Sequence, residues 1–185
     1  MRKYTNTIAR SHFCVPAILC TVMHNEGYEI SQEIIAEMIG ITVPTNDDQI
    51  ISDIHNISYS DNDIEWGVKL KNDSINNLFS KLNVKLHETY LPINTISEER
   101  FLDVLFSHLT LGEHIVFGFN YSSLYSLPAA NYGHVSLVCD IEKNEKVILL
   151  DPGPKEAGIK TVLADDLYIA IKNRTDGLWC IFRTG

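Results

Sequence analysis

The sequence predicts an α+β fold, with helices in the first half of the chain and an antiparallel sheet in the second. Helical periodicity with start and stop signals runs to about residue 82, whereas short apolar runs separated by turns dominate from about residue 114. The 185 residues, 45% hydrophobic and 21% charged, suit a single globular domain over residues 1–185. A helical lobe followed by a sheet lobe is expected to leave a cleft where the two meet.

Two helices are predicted near the N-terminus. Pro16 suits the first turn of a helix over residues 16–25, because the N–H that proline lacks has no helical partner there. Ser31 is a good N-cap for a second helix over residues 32–39, and Gly40 stops it. The apolar side chains of this second helix recur at helical spacing, which predicts one buried face.

Residues 44–67 are expected to form a long acidic loop or lid. Residues 61–65 alternate carboxylates as a calcium loop does, but Gly67 comes one place late and no distal glutamate follows at the required offset. We therefore predict no calcium site. The carboxylates of this segment are Asp47, Asp48, Asp53, Asp61, Asp63 and Glu65.

The rest of the chain predicts three more helices and five strands. The clearest start signal is the capping-box pattern Thr-Ile-Ser-Glu at residues 95–98, in which Thr95 would cap the helix. The helices are predicted over residues 73–82, 95–109 and 165–172, and the strands over residues 84–90, 114–119, 134–141, 146–150 and 178–183.

Charge and composition exclude several partners. A net charge of −9 argues against a nucleic-acid or anionic-membrane surface, because phosphate binding needs a basic patch. The apolar run over residues 13–23 follows basic residues and imitates a signal peptide, but no small-residue cleavage site follows it, so a buried helix is predicted and no membrane insertion. Four cysteines without a CxxC pair indicate reduced thiols and a cytoplasmic location.

A histidine and an aspartate stand at two ends of a predicted hairpin. His134 follows a glycine and opens one apolar strand, and Asp151 precedes a proline and closes the next, with a turn at residues 142–146 between them. Antiparallel pairing brings such residues side by side. An imidazole beside a carboxylate is the orienting half of a nucleophilic triad.

Cys14 is the candidate nucleophile. It stands just before the predicted helix that has Pro16 in its first turn. A thiol attacks as the thiolate, which the helix dipole and an adjacent imidazolium both favour. A buried structural cysteine is the alternative, but the combination with a Gly-His strand start and an Asp-Pro strand end favours a triad of Cys14, His134 and Asp151.

These segments resemble those of the bacteriocin-processing, double-glycine-leader peptidases, a branch of the papain-like cysteine peptidases. Residues 14–17 read Cys-Val-Pro-Ala where that family has Cys-Gly-Pro-Ala, and the Gly-His and Asp-Pro segments agree in order and spacing. The resemblance implies a papain-like two-lobed fold in which Cys14 is the nucleophile, His134 the general base and acid, and Asp151 the orienting residue. It implies a thiol peptidase or amidase that forms a thioester acyl-enzyme with a peptide or acyl substrate.

The sequence departs from the family pattern at the oxyanion donor. The family places a glutamine a few residues before the cysteine, and residues 7–13 contain none. Asn6 and His12 are the substitute candidates, together with the backbone N–H of Cys14. A lost oxyanion donor costs about 10²–10³ in rate, so the departure bears directly on activity.

Two alternatives stay open at this stage. Residues 12–14, His-Phe-Cys with a following helix, also resemble the papain-like acyltransferases of natural-product assembly, which pass the acyl group to an amine. Val15 and the absent glutamine fit a third possibility, a catalytically impaired pseudo-peptidase that binds peptide. The sequence does not indicate an oligomeric state.

The remaining chemistry-bearing residues are predicted to be structural, and no cofactor or metal is expected. Cys20, Cys139 and Cys180 are assigned to the core, and so are Trp66 and Trp179. The segment 121–132 is expected to form a wall of the cleft next to His134. Surface or capping roles are predicted for five histidines without metal-ligand spacing, His24, His55, His87, His108 and His114.

Overall fold

The computed structural model describes residues 2–46, 54–70, 73–127, 132–143 and 145–185. The chain divides into two compact units. The helical unit comprises Tyr4–Lys85 and Pro152–Ala157, and the sheet unit comprises Met1–Lys3, Leu86–Asp151 and Gly158–Gly185. Each unit has a hydrophobic core of its own.

The helical unit begins with the buried helix that the apolar run predicted. Helix α1 spans Cys14–Asn25, and residues 15–23 are all buried. It begins two residues before the predicted start at Pro16, because the N–H of Ala17 already bonds to the carbonyl of Phe13 at 2.9 Å. Among the described residues, no helix is both long and apolar enough to cross a membrane.

The second and third helices follow the sequence signals. Helix α2 spans Gln32–Ile39; the hydroxyl of Ser31 accepts from the N–H of Ile34 at 3.4 Å, and Gly40 ends the helix with φ 78°. Helix α3 spans Ser74–Lys81.

The prediction that residues 44–67 form a loop was partly wrong. Strand β1 (Ile41–Pro44) pairs in parallel with strand β2 (Ile57–Ser60), and a short 3₁₀ turn follows at Asp63–Glu65. The indole of Trp66 donates to the carbonyl of Ser60 at 2.9 Å and fixes this turn against the strand. The sequence did not indicate strand β2 or the turn, because no residue of either is buried and neither therefore has an apolar face. Asp47, Asp48 and Asp53 lie outside the described residues.

The described part of the sheet unit forms a six-stranded antiparallel sheet, which confirms the predicted fold class. Its spatial order is β3-β8-β4-β5-β6-β7. The strands are β3 (Leu86–Pro92), β4 (His114–Asn120), β5 (Gly133–Glu142), β6 (Lys146–Asp151), β7 (Gly158–Leu163) and β8 (Gly177–Arg183). Strand β7 was not predicted, because it is an edge strand whose half-buried pattern resembles a loop.

Helices α4 (Glu98–Thr110), α5 (Tyr121–Tyr125) and α6 (Ala164–Arg174) contribute side chains to the core of the sheet unit. The capping box predicted at Thr95 was wrong. The Thr95 hydroxyl donates to the carbonyl of Pro92 at 2.7 Å, and Ser97 is the N-cap. The Glu99 backbone N–H and, to a smaller extent, the Ser97 side chain hydrogen-bond the Glu99 carboxylate and lower its pKa.

Burial agrees with the core assignment of three cysteines but not with that of the two tryptophans. Cys20, Cys139 and Cys180 are buried, as predicted. Trp66 and Trp179 are half-buried and not core residues.

Candidate active site

The structure brings His134 and Asp151 together within the sheet unit. Nε2 of His134 lies 2.9 Å from Oδ1 of Asp151, and both side chains are buried. The hairpin explains this contact: Leu137 of β5 pairs with Leu150 of β6, so the start of β5 and the end of β6 meet. If Nε2–H donates to the carboxylate, Nδ1 is the ring nitrogen left to exchange a proton with a thiol.

Aromatic rings enclose the histidine. Phe119 and Tyr121 contact the His134 ring edge-on, with centroids 5.6 Å and 5.4 Å from it. Tyr121 is itself stacked on Tyr132 at 5.0 Å and packed against Tyr125 at 4.6 Å. These rings hold the imidazole in one orientation and keep water from the buried pair, which strengthens the interaction of His134 with its carboxylate.

Sequence reasoning did not identify Phe119 or Ser136 as neighbours of the histidine. Phe119 pairs directly with His134 in the β4–β5 ladder. Ser136 lies two residues from His134, so both are on the same face of β5, and Ser136 is fully buried. Neither residue carries a sequence signal, because an apolar strand with one serine is common in buried sheets.

Gly133, which precedes the histidine, is packed against the flexible end of an arginine side chain. A Cβ added there would lie 2.5 Å from Cζ of Arg174 and 2.6 Å from its Nε. The guanidinium therefore occupies the space beside the strand that any side chain at position 133 would fill.

Cys14 is the first residue of α1 in the helical unit, and its side chain is partly exposed. It stands at the N-terminus of a 12-residue helix, where the first backbone N–H groups have no partner within the helix. The thiol is free of any disulfide.

The other three thiols are much less suited to nucleophilic chemistry. Burial raises the pKa of Cys20, whose Sγ accepts from the Thr7 hydroxyl at 3.3 Å and donates to the carbonyl of Ile30 at 3.1 Å. Burial also raises the pKa values of Cys139 and Cys180 to about 12 each. At neutral pH these thiols stay protonated and shielded.

The two oxyanion candidates lie in the same unit as Cys14. His12 has a left-handed backbone with φ 65°, and its ring packs edge-on against Trp66 with centroids 5.3 Å apart. Asn6 is half-buried, and its Oδ1 is shielded from solvent.

The surface or capping role predicted for the scattered histidines was wrong for one of them, which is buried. His114 is 1% exposed, and its Nδ1 lies 3.2 Å from Nη1 of Arg2. His108 lies near two other donor side chains, because the fold joins residues that are far apart in sequence. Those donors are Glu113 and Cys180.

A solved structure of another protein has a similar fold. The structure is similar to the crystal structure of a Bacillus anthracis protein provisionally described as a C39-like peptidase, with TM-score 0.60 and 12% sequence identity over 99% of this chain and 100% of that one. The two chains share a fold. No protein-family model matches the sequence, and no curated protein matches it either.

Proposed function

We propose that this protein is a thiol peptidase or amidase with a triad of Cys14, His134 and Asp151. The observations that carry the proposal are the buried 2.9 Å pair of His134 and Asp151 in the sheet unit and, in the helical unit, a partly exposed cysteine at a helix N-terminus. The shared fold with a protein described as a C39-like peptidase supports it. The proposal treats residues 1–185 as one catalytic domain.

Each member of the triad has one task. The Cys14 sulfur forms a bond to the carbonyl carbon of the substrate while Nδ1 of His134 takes the thiol proton. Collapse of the tetrahedral adduct breaks the C–N bond, His134 returns the proton to the leaving amine, and a thioester remains. Water then attacks the thioester, again losing its proton to His134, and the acid and the free thiol are released. Asp151 keeps the imidazole in one tautomer and stabilises its charged form.

We further propose that the substrate is a peptide of the double-glycine-leader type, on the resemblance of residues 14–17, 133–135 and 150–152 to that family. A net charge of −9 suits a cationic peptide. The four free cysteines fit a reducing compartment such as the cytoplasm.

The oxyanion donor should be Asn6 or His12, paired with the backbone N–H of Cys14. Replacing the true donor by alanine should lower the rate of acyl-enzyme formation by about two orders of magnitude, because the negative oxygen then loses one of its two hydrogen bonds. The measurement is single-turnover acylation by an activated acyl ester for Asn6→Ala and His12→Ala. If neither change slows acylation, both assignments are wrong.

Thiol labelling tests the nucleophile directly. With iodoacetamide at neutral pH, Cys14 should be alkylated at least about tenfold faster than Cys20, Cys139 or Cys180, because the other three are buried and protonated. Peptide mass spectrometry gives the site. The Cys14→Ser variant is the control and should label slowly at every remaining cysteine.

Cleavage of a peptide library by the wild type, but not by Cys14→Ser, would complete this test. Slow and uniform labelling of all four thiols, without cleavage, would contradict the proposal and favour a pseudo-peptidase that only binds peptide.

Acyl transfer is the second candidate function, and the aromatic cluster at His134 favours it. Tyr121 is nearly buried against the imidazole, and a dry surface beside the general base disfavours water as the acceptor. Trapping the acyl-enzyme and adding candidate amines separates the two reactions. A partition that stays with water at every amine concentration rules out the transferase.

A further inference from the structure

We propose that His108, Glu113 and Cys180 form a binding site for a zinc-class divalent metal ion. One nitrogen, one oxygen and one sulfur donor from these residues lie within 4.8 Å of one another. The site shares no residue with the proposed triad, and the proposal does not depend on the peptidase function.

Three separate parts of the sheet unit bring the donors together. His108 lies in the last turn of α4. The chain then turns through Gly112 at φ 78°, and the N–H of Glu113 bonds back to the carbonyl of His108 at 3.0 Å. Cys180 comes from β8, where it pairs with Ile115 of the neighbouring strand β4. The backbone of each donor is therefore anchored, which is what a preorganised metal site requires.

The donor set matches the preferences of zinc. Imidazole nitrogen, carboxylate oxygen and thiolate sulfur are the three ligand types that Zn²⁺ accepts, and three protein ligands leave a fourth position for water. Adjacent ligand atoms around tetrahedral zinc are about 3.5 Å apart, from the usual metal–ligand distances. The three donor atoms lie within 4.8 Å of one another, so tetrahedral coordination requires only a modest rearrangement of them.

Burial and charge also suit a cation. Cys180 is fully buried, while the side chains of His108 and Glu113 are 23% and 15% exposed, so solvent reaches the site from the helix side. A bound divalent ion would favour the thiolate form of a coordinating cysteine, as it does in known metal sites.

The alternative interpretation is a structural ion pair beside a buried thiol. His108 Nδ1 lies 2.7 Å from Oε2 of Glu113, a distance that is normal for a hydrogen-bonded pair at the end of a helix. An ion pair of His108 and Glu113 does not involve the Cys180 sulfur, whereas a metal ion would bind all three donors. The two interpretations therefore differ in what Cys180 does, and the thiol provides the spectroscopic signal.

Cobalt(II) titration of the full-length, chelator-treated and reduced protein tests the site. Binding should follow 1:1 stoichiometry and produce a thiolate-to-cobalt charge-transfer band in the near ultraviolet, which Zn²⁺ should abolish by displacement. His108→Gln should weaken cobalt binding at least about tenfold, and Cys180→Ala should remove the band. Because His108 is partly exposed, its variant reports on the site even if Cys180→Ala fails to fold.

Two variants serve as controls. Cys14→Ser and Cys139→Ala each remove a different thiol and should leave the cobalt band unchanged. A band that disappears in Cys14→Ser would assign the metal to another thiol and overturn the proposal. A wild-type protein without a band, or a band that survives in folded Cys180→Ala, would overturn it as well.

Discussion

At the scale of single residues, two carboxylates of the sheet unit have different environments. Asp151 is buried and paired with an imidazole at 2.9 Å. Asp176 is half-buried, and its partners are neutral apart from the nearby Arg174: it accepts from the N–H of Gly177 at 3.1 Å and from the hydroxyl of Tyr90. Burial raises the pKa of Asp176 above its ordinary value of 3.8 more than these contacts lower it.

The raised pKa of Asp176 predicts that Asp176→Asn stabilises the protein at neutral pH. A carboxyl whose folded-state pKa is raised holds its proton more tightly when folded, so the wild type loses stability as the pH rises above 3.8 through the raised value. Asparagine keeps an oxygen for Gly177 and carries no charge. Urea midpoints should therefore be higher for the variant at about pH 7 and converge with the wild type below about pH 4. A variant that is less stable at neutral pH would show that the charge itself is stabilising.

At the scale of elements, the β3–β8 ladder depends on a glycine. Gly177 opens β8 opposite Pro92 of β3. A Cβ at position 177 would collide with the carbonyl oxygen of Leu91 and lie 2.9 Å from Cε2 of Tyr90. The first of these obstacles is backbone, which moves only if the ladder opens.

Gly177→Ala should therefore destabilise the protein by about 1–3 kcal/mol, the usual range for overpacking. Gly133→Ala is the matched control. The three atoms nearest to its Cβ all belong to the guanidinium of Arg174, the flexible end of an exposed side chain, so its effect should stay within about 0.5 kcal/mol. Urea denaturation of both variants gives the free energies of unfolding. Equal losses of stability in the two variants would mean that contact with the Leu91 backbone does not explain the glycine at position 177.

At the scale of the whole molecule, the proposed function requires the two units to act together. Cys14 belongs to the helical unit, while His134 and Asp151 belong to the sheet unit. An imidazole that serves the thiol should accelerate alkylation of Cys14, because a neighbouring imidazolium favours the thiolate.

We expect His134→Gln to slow the alkylation of Cys14 by iodoacetamide at neutral pH at least about tenfold. Glutamine retains an N–H that can donate to Asp151, but its amide cannot take up the thiol proton as an imidazole does. His24→Gln, which removes a histidine 3.6 Å from the Cys20 sulfur, is the control and should leave the Cys14 rate unchanged. Equal rates in the wild type and His134→Gln would separate Cys14 from the histidine and contradict the triad.

The sequence by itself determined the fold class, most of the helices and the hairpin that joins His134 to Asp151. These features depend on local signals: Ser31 and Gly40 bound a helix, and two apolar strands with a short turn must pair. Local signals failed where several residues compete for one role, as with Thr95 and Ser97 at the start of α4, and where a strand is exposed on one side, as with β7.

Only the tertiary structure decided which side chains share a neighbourhood across long stretches of sequence. Nothing in the sequence connects Cys180 with His108 and Glu113, or Arg174 with Gly133, because these contacts arise from strand order and from where a helix ends. Burial likewise distinguished Cys14 from the three shielded thiols. Sequence periodicity reports which face of an element is buried, whereas pairing between distant elements is set by packing of the whole sheet.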